Sequence, residues 1–329
     1  MKLGVDIFSL RFNDWDAFRH LGYAAEIGLD VVHFSDLSTF RSDDSGYLNE
    51  LRQEADRLRL AIEVGMGSIC PTSTTFKADQ GSAADQLGHM LRIAAILGSP
   101  AVRCYMGANA DRRTTTPLAA HLDATIATCQ AVRDPAMELG IKIAIENHAG
   151  DLQGRELAKL IERAGPEFVG ACIDSGNPLW VAESPFTTLE HLAPFVVMCH
   201  VRDTAVWPHP DGAVAQWVVM GEGNVGIDEW ARQFRHLCPQ IPFTLEVIAT
   251  LPPRVLPYLS PDYWDVYPDT PAREFARFLA LVQSGQPYTR PVLAADWGAL
   301  TPTLRAALGE AQQHHLEQSV RYCRDKLDA

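Results

Sequence analysis

Through the first 285 residues, short apolar runs alternate with longer segments of helical period. The runs are Leu3 to Phe8, Val31 to Phe34, Ala61 to Gly65, Ala101 to Tyr105, Ile141 to Glu146, Val169 to Asp174, Val196 to Val201 and Phe243 to Val247. Each has strand length, and the alternation with helical segments predicts a parallel sheet wrapped by helices. Between the runs, Tyr47, Leu48, Leu51, Ala55 and Leu58 keep a spacing of three or four, as do Leu87, Leu91, Ala94 and Leu97, and Leu157, Leu160, Ile161 and Ala164. Each set makes one apolar helix face. Gly28, Gly98, Gly140 and the pair Gly165-Pro166 stand where helices should stop before the next strand. Eight β/α units predict an α/β fold, a (β/α)8 TIM barrel. An open doubly wound sheet is the competitor, but no G-x-G-x-x-G follows the first run, and that fold needs fewer units.

Two stretches depart from the repeat. Residues 204–228 follow the seventh run and hold Trp207-Pro208-His209-Pro210-Asp211-Gly212 and Trp217, and residues 249–270 follow the eighth and hold Pro252-Pro253, Tyr258, Tyr263 and Trp264. Both read as long βα loops at the C-terminal face, whose aromatic residues either close over a substrate or pack on the rim or a neighbouring subunit. Beyond residue 284, Leu304, Leu308, Ala311, His315, Leu316, Val320 and Cys323 continue a helical face. The expected organisation is a catalytic barrel at 1–285 and a C-terminal helical extension at 286–329. The apolar face of that extension has to bury on the barrel or on another subunit.

Composition narrows the partners. Apolar residues make up 47% of the chain and charged residues 21%, with no run of 18 apolar residues, so neither a disordered chain nor a membrane-spanning one is expected. A net charge of −13 opposes the phosphate neutralisation that nucleic-acid binding requires. Small molecules are the expected partners. The start Met1-Lys2-Leu3-Gly4-Val5-Asp6 has no signal-peptide core, which predicts a cytoplasmic location. Seven cysteines without a C-x-x-C pair read as buried free thiols.

Candidate chemistry lies at the strand ends. Glu146, Asp174, His200 and Glu246 each finish an apolar run, on strands five to eight. The intervals are 28 and 26 residues, one β/α unit each, then 46, one unit plus the long loop. Adjacent strands therefore bring four ligand-type side chains to one quadrant of the barrel mouth. Taken singly, such an acid caps the next helix and such a histidine is a core residue; four at corresponding positions call for a shared role. Unpaired carboxylates at the ends of apolar strands are costly to desolvate, and one divalent cation would compensate them. Oxygen ligands with a single histidine suit Mn²⁺ first, with Mg²⁺, Co²⁺ or Zn²⁺ as alternatives.

The residues Ile145-Glu146-Asn147-His148-Ala149-Gly150, Cys172-Ile173-Asp174-Ser175-Gly176-Asn177, His200-Val201-Arg202-Asp203, Gly221-Glu222-Gly223-Asn224-Val225 and Leu245-Glu246 resemble, in order, the motifs of the xylose-isomerase-like TIM-barrel superfamily, ketose 3-epimerases among them. The resemblance covers roughly residues 1–283. It implies that Glu146, Asp174, His200 and Glu246 hold one divalent metal, and that Glu146 and Glu246 trade the proton of a ketose carbon. Two departures stand out: Asn177 occupies a position where ketose 3-epimerases usually carry a histidine, and the tail beyond 284 has no recognised counterpart.

These residues predict a metal-dependent sugar isomerase or epimerase that moves a proton beside a carbonyl through a stabilised enolate. The same enolate could expel a group at the β carbon, so a lyase or dehydratase on a 3-keto sugar or glycoside conjugate is the alternative. A non-catalytic barrel subunit or sugar-binding partner is a further alternative, and DNA endonuclease action is opposed by the charge. His148, Asn177, Arg202 and Arg103 are the candidate substrate contacts; His148 and Arg202 each lie two residues beyond a ligand, and Arg103 is an unusual residue inside a strand. His148, Asp203 and His33 are reserve candidates for the base. Gly221-Glu222-Gly223-Asn224 lacks the strand–turn–helix setting of a phosphate loop. The partner is expected to be a small sugar, and the chain a homo-oligomer or a subunit of an enzyme complex.

Overall fold

A computed structural model of the chain describes residues 2–327. The eight apolar runs form eight parallel strands: β1 Leu3–Asp6, β2 Val31–Phe34, β3 Ala61–Ser68, β4 Ala101–Tyr105, β5 Lys142–Glu146, β6 Val169–Asp174, β7 Val196–His200 and, after an insertion holding β8 and β9, β10 Phe243–Leu245. They pair in the order β10-β1-β2-β3-β4-β5-β6-β7. Val201 bridges Leu245, with Val201 N–H donating to Thr244 O at 2.8 Å and Glu246 N–H to Val201 O at 2.9 Å, and this closes the ring into a TIM barrel. Helices at 17–26, 45–58, 83–97, 118–131, 154–164, 185–192, 227–237 and 272–284 lie between or after the strands. The predicted helix faces are their buried faces: Leu48, Leu51 and Ala55 in one, Leu87, Leu91, Ala94 and Leu97 in another, all within the main core cluster. Gly98 ends its helix at φ 75, a left-handed conformation that a side chain would strain.

Strand alternation decides what fills the barrel. Ala101, Ala144, Cys172 and Met198 form a small apolar layer inside β4 to β7. Two residues further along their strands stand Arg103, Glu146, Asp174 and His200, so the next layer is charged. A bulge between β6 and β7 sets the register: Ala171 pairs with Val196, but Cys172 pairs with Met198, and Asp174 therefore sits opposite His200. Without that extra residue Cys199 would face Asp174.

The two long loops are ordered rather than open. Residues 204–228 contain most of a hairpin, β8 Asp203–His209 and β9 Gly212–Val218, and residues 249–270 contain β11 Arg254–Leu256, which pairs antiparallel with β9. This small sheet has its own core of Leu179, Trp180, Val206, Tyr258, Tyr263, Tyr267 and Phe278. Most loop aromatics thus pack on the rim, while Trp217 also lines the barrel mouth.

The C-terminal segment ends in a 26-residue helix, Pro302–Leu327. Leu308, Leu316, Val320, Cys323 and Leu327 are buried on the barrel's own chain. Phe12 N–H donates to Gln312 Oε1 at 3.0 Å, Tyr23 Oη to Glu317 Oε1 at 3.0 Å, and Met220 N–H to Ser319 Oγ at 3.2 Å.

Candidate active site

Glu146, Asp174, His200 and Glu246 converge at the C-terminal end of the barrel, where each offers one ligand atom within 4.8 Å of the others, and all four are buried. His200 organises the group. Its Nδ1 lies 3.3 Å from Glu146 Oε2 and 3.2 Å from Glu246 Oε2, yet it is buried without a hydrogen-bond partner. Its Nε2 faces the other way, 2.7 Å from His33 Nδ1 and 3.1 Å from Asp6 Oδ2. Asp6 beside Nε2 favours a proton on that nitrogen and leaves the Nδ1 lone pair directed at the carboxylates, the arrangement a metal-binding imidazole needs. A nitrogen and three carboxylates brought together in this way fit a divalent cation held largely by oxygen.

The electrostatics favour positive charge at this point. Burial alone would push the His200 imidazole down, but Cys172, Glu146, Asp6 and Glu246 around it drive it well up. Burial pushes Asp174 up to about 6 although Arg202 opposes the shift, with Glu146 and Glu246 adding to it. Burial also works against the charge on Glu146, where Arg103 and His200 outweigh it and hold the carboxyl well below the usual range. Two guanidiniums brace the acids. Arg103 Nε donates to Glu146, and Arg202 Nε donates to Asp174 Oδ2 at 2.7 Å while its Nη2 reaches Glu246.

Each acid is further fixed by its neighbours. Asn177 Nδ2 donates to Glu146 Oε1 at 3.1 Å. Asp174 Oδ1 accepts from Gly176 N–H at 2.7 Å and Asn177 N–H at 2.6 Å. Asn147 clamps β5 to β6, its Nδ2 donating to Asp174 O at 2.9 Å and its Oδ1 accepting from Asp174 N–H at 2.8 Å.

A cavity of about 770 Å³ opens from this cluster across the barrel mouth. Arg103, His148, Asn177, Arg202 and Glu246 all line it. His148 stacks on Tyr105 with centroids 3.8 Å apart, and its Nδ1 is 2.8 Å from Gly107 O. Burial pushes that imidazole down to about 4, so it faces the cavity uncharged. Both arginines are tied to the carboxylate cluster as well as lining the cavity wall. Of the reserve bases, His33 sits behind His200, and Asp203 points elsewhere. The Asp203 carboxylate accepts from the N–H groups of Thr204, Gly221 and Gly223 at 2.8, 2.9 and 2.9 Å, which is the use the chain makes of its Gly-Glu-Gly-Asn turn.

Sequence reasoning missed Asp6, Asn147 and Trp297 at the site. Asp6 carried a readable signal, since it is an acid set inside the first apolar run. Trp297 carried none, because it arrives from outside the β/α repeat.

Comparison with known proteins agrees with the barrel fold. A family profile described as xylose isomerase-like TIM barrel matches residues 21–271. A curated relative, 3-oxo-isoapionate decarboxylase of Pectobacterium atrosepticum, is 23% identical over 185 residues, 56% of this chain and 60% of that protein, so the match spans under two thirds of the relative. Among solved structures, D-psicose 3-epimerase of Clostridium cellulolyticum superposes at TM-score 0.59 with 14% identity, over 85% of this chain and 96% of the other. The 3-keto-D-glucoside 4-epimerase of E. coli superposes at TM-score 0.58 with 13% identity, over 82% and 98%. These two likenesses show the shared fold, and the family match covers most of the chain: the protein belongs to the xylose isomerase-like TIM-barrel family.

Proposed function

We propose that the protein is a divalent-metal-dependent epimerase or isomerase of a neutral keto sugar, with Glu146 and Glu246 as the acid/base pair. The carrying observation is the placement of these two carboxylates beside His200 Nδ1, at 3.3 and 3.2 Å, with Glu246 in the cavity wall. A divalent cation held by Glu146, Asp174, His200 and Glu246 supplies an electrophile beside the carbonyl, so that negative charge can develop on the sugar when a neighbouring carbon loses its proton. The residues do the rest. Glu246, open to the cavity, takes or returns the proton on its side; Glu146, oriented by Asn177 and Arg103, does so on the other. Arg202 holds Glu246 and Asp174 in place and shields the charge between them.

Charge balance favours a neutral substrate. Asp6, Glu146, Asp174 and Glu246 carry four negative charges, Arg103 and Arg202 two positive ones, and a divalent cation completes neutrality. At the rim, Asp36 and Asp85 are matched by Lys77 and Arg254. A second reading, elimination or decarboxylation of a sugar acid, draws on the decarboxylase relative. It would need a cation for the substrate's own carboxylate, and both site arginines are already engaged.

The test is incubation of Mn²⁺-loaded protein with ketoses, 3-keto-glycosides and 3-oxo sugar acids in D₂O, read by NMR. Deuterium entering a carbon beside the carbonyl, with a new epimer or isomer and no eliminated fragment, supports the proposal. Loss of CO₂ or of a β substituent would replace it with the second reading.

A further inference from the structure

A hexose leaves most of the cavity unfilled. Even if each of its twelve non-hydrogen atoms is granted the roughly 30 Å³ that a water takes in the liquid, about 360 Å³ in all, a monosaccharide accounts for less than half of the 770 Å³. One part of the remaining wall is apolar and aromatic, with Phe8, Met66, Trp217, Ile248, Leu251 and Trp297, and another is polar, with Thr75, Lys77, Gln80, Asp85 and Gln86.

Two of these side chains carry unanswered polar groups. The indole N–H groups of Trp217 and Trp297 are buried, and neither has a hydrogen-bond partner among the described residues. Neither nitrogen is open to the cavity, and that of Trp217 faces Gly176, so what the two residues offer a ligand is ring surface. Both rings are also held rigidly. The Arg202 guanidinium lies 4.2 Å from the Trp217 ring centre, and Trp297 is fixed between Arg11, 4.2 Å away, and the rings of Phe8 and Phe12 at 6.0 and 5.3 Å. Trp297 reaches the cavity only because the segment after the last barrel helix crosses the mouth, where Ala295 N–H donates to Thr250 O at 3.2 Å.

From this geometry we infer a second subsite, formed by Trp217, Trp297 and Phe8, that takes the ring of an aglycone. The preferred substrate is then a neutral keto-glycoside with an apolar or aromatic aglycone, not a free sugar. The inference rests on the function proposed above and names its substrate class. Planar rings stack on rigid aromatic walls with little entropy loss.

Calorimetric titration of the Mn²⁺-loaded full chain with phenyl and methyl 3-keto-β-glycosides of glucose, galactose and xylose tests this. At least one phenyl glycoside should bind about tenfold more tightly than its methyl counterpart. Trp297→Ala should erase that preference, and Trp297→Phe, which keeps a ring, should retain most of it. Mn²⁺ affinity should be the same in all three proteins. If no sugar of the set shows a phenyl preference while Mn²⁺ still binds one to one, the subsite is wrong and the proposed chemistry stands. If Trp297→Ala leaves the preference intact, Trp297 is not part of the subsite and the inference falls. If wild-type protein binds no stoichiometric Mn²⁺, the inference and the proposed function fall together.

Discussion

The four candidate ligand residues were legible in the sequence because a carboxylate or imidazole ending an apolar strand is costly unless something answers it. The structure brings the four together, and their roles separate by exposure: Glu246 lines the cavity, while Glu146 is fully buried behind Arg103 and Asn177. Glutamine at either position keeps size and a coordinating oxygen but loses the base. Glu146→Gln and Glu246→Gln should each retain metal and lose roughly 10² to 10⁴ in turnover. Combined, the losses should fall short of multiplying, because both groups serve one proton relay. Steady-state rates on metal-loaded variants check this; wild-type turnover in both would reassign the base to His148. A second residue answers to pH rather than to substrate. Burial pushes Glu63 up to about 7 from its ordinary 4.5, with only Thr244 Oγ1, 3.5 Å away, as a donor. A carboxyl whose pKa is raised on folding binds its proton more tightly in the native state. Its contribution to stability is therefore complete below about 4.5 and is lost as pH rises through about 7. Relative to Glu63→Gln, the wild type should lose on the order of 3 kcal/mol of stability across that window, read from denaturant unfolding at stepped pH. Flat, parallel curves would show that Glu63 is ionised and solvated in the folded protein.

At the scale of elements, all eight strands and the main helix faces were readable from period alone. The three-stranded sheet of the insertions was not. Residues 204–228 hold two prolines that argue for a loop, and β11 is only three residues long, so its pairing with β9 is a tertiary event with no local signal. The bulge between β6 and β7 was equally hidden, because one extra residue in a pairing leaves composition and period unchanged while deciding that His200, and not Cys199, faces Asp174. The hairpin depends on one buried acid. Asp203→Ala would strip the acceptor from three N–H groups, and a stability loss of about 1–3 kcal/mol is expected, with Asp203→Asn intermediate. Thermal unfolding measures the loss, and limited proteolysis should show new cleavage between 203 and 223.

For the whole molecule, the tail reads differently in three dimensions than in sequence. Its apolar face was expected on the barrel or on a partner subunit, and it lies on the barrel, with Leu316 fully buried. Leu316→Ala should therefore cost about 2–5 kcal/mol as a cavity mutation, while Mn²⁺ affinity in the folded protein stays unchanged. Unfolding curves and metal titration on the same sample separate the two effects; a stability unaffected by the substitution would mean that the helix merely decorates the surface. No helix among the described residues is long and apolar enough to cross a membrane. The path of the tail also sets the order in which the protein becomes competent during synthesis. A ribosome releases the strands that carry Glu146, Asp174, His200 and Glu246 before it has made Trp297 or the helix that docks at Phe12 and Tyr23. A nascent chain paused at residue 285 would thus hold its ion ligands but an unfinished cavity wall. A chain stopped before residue 297 would carry the four proposed ion ligands and lack Trp297, so its expected fault is lost discrimination among ligands rather than a lost ion.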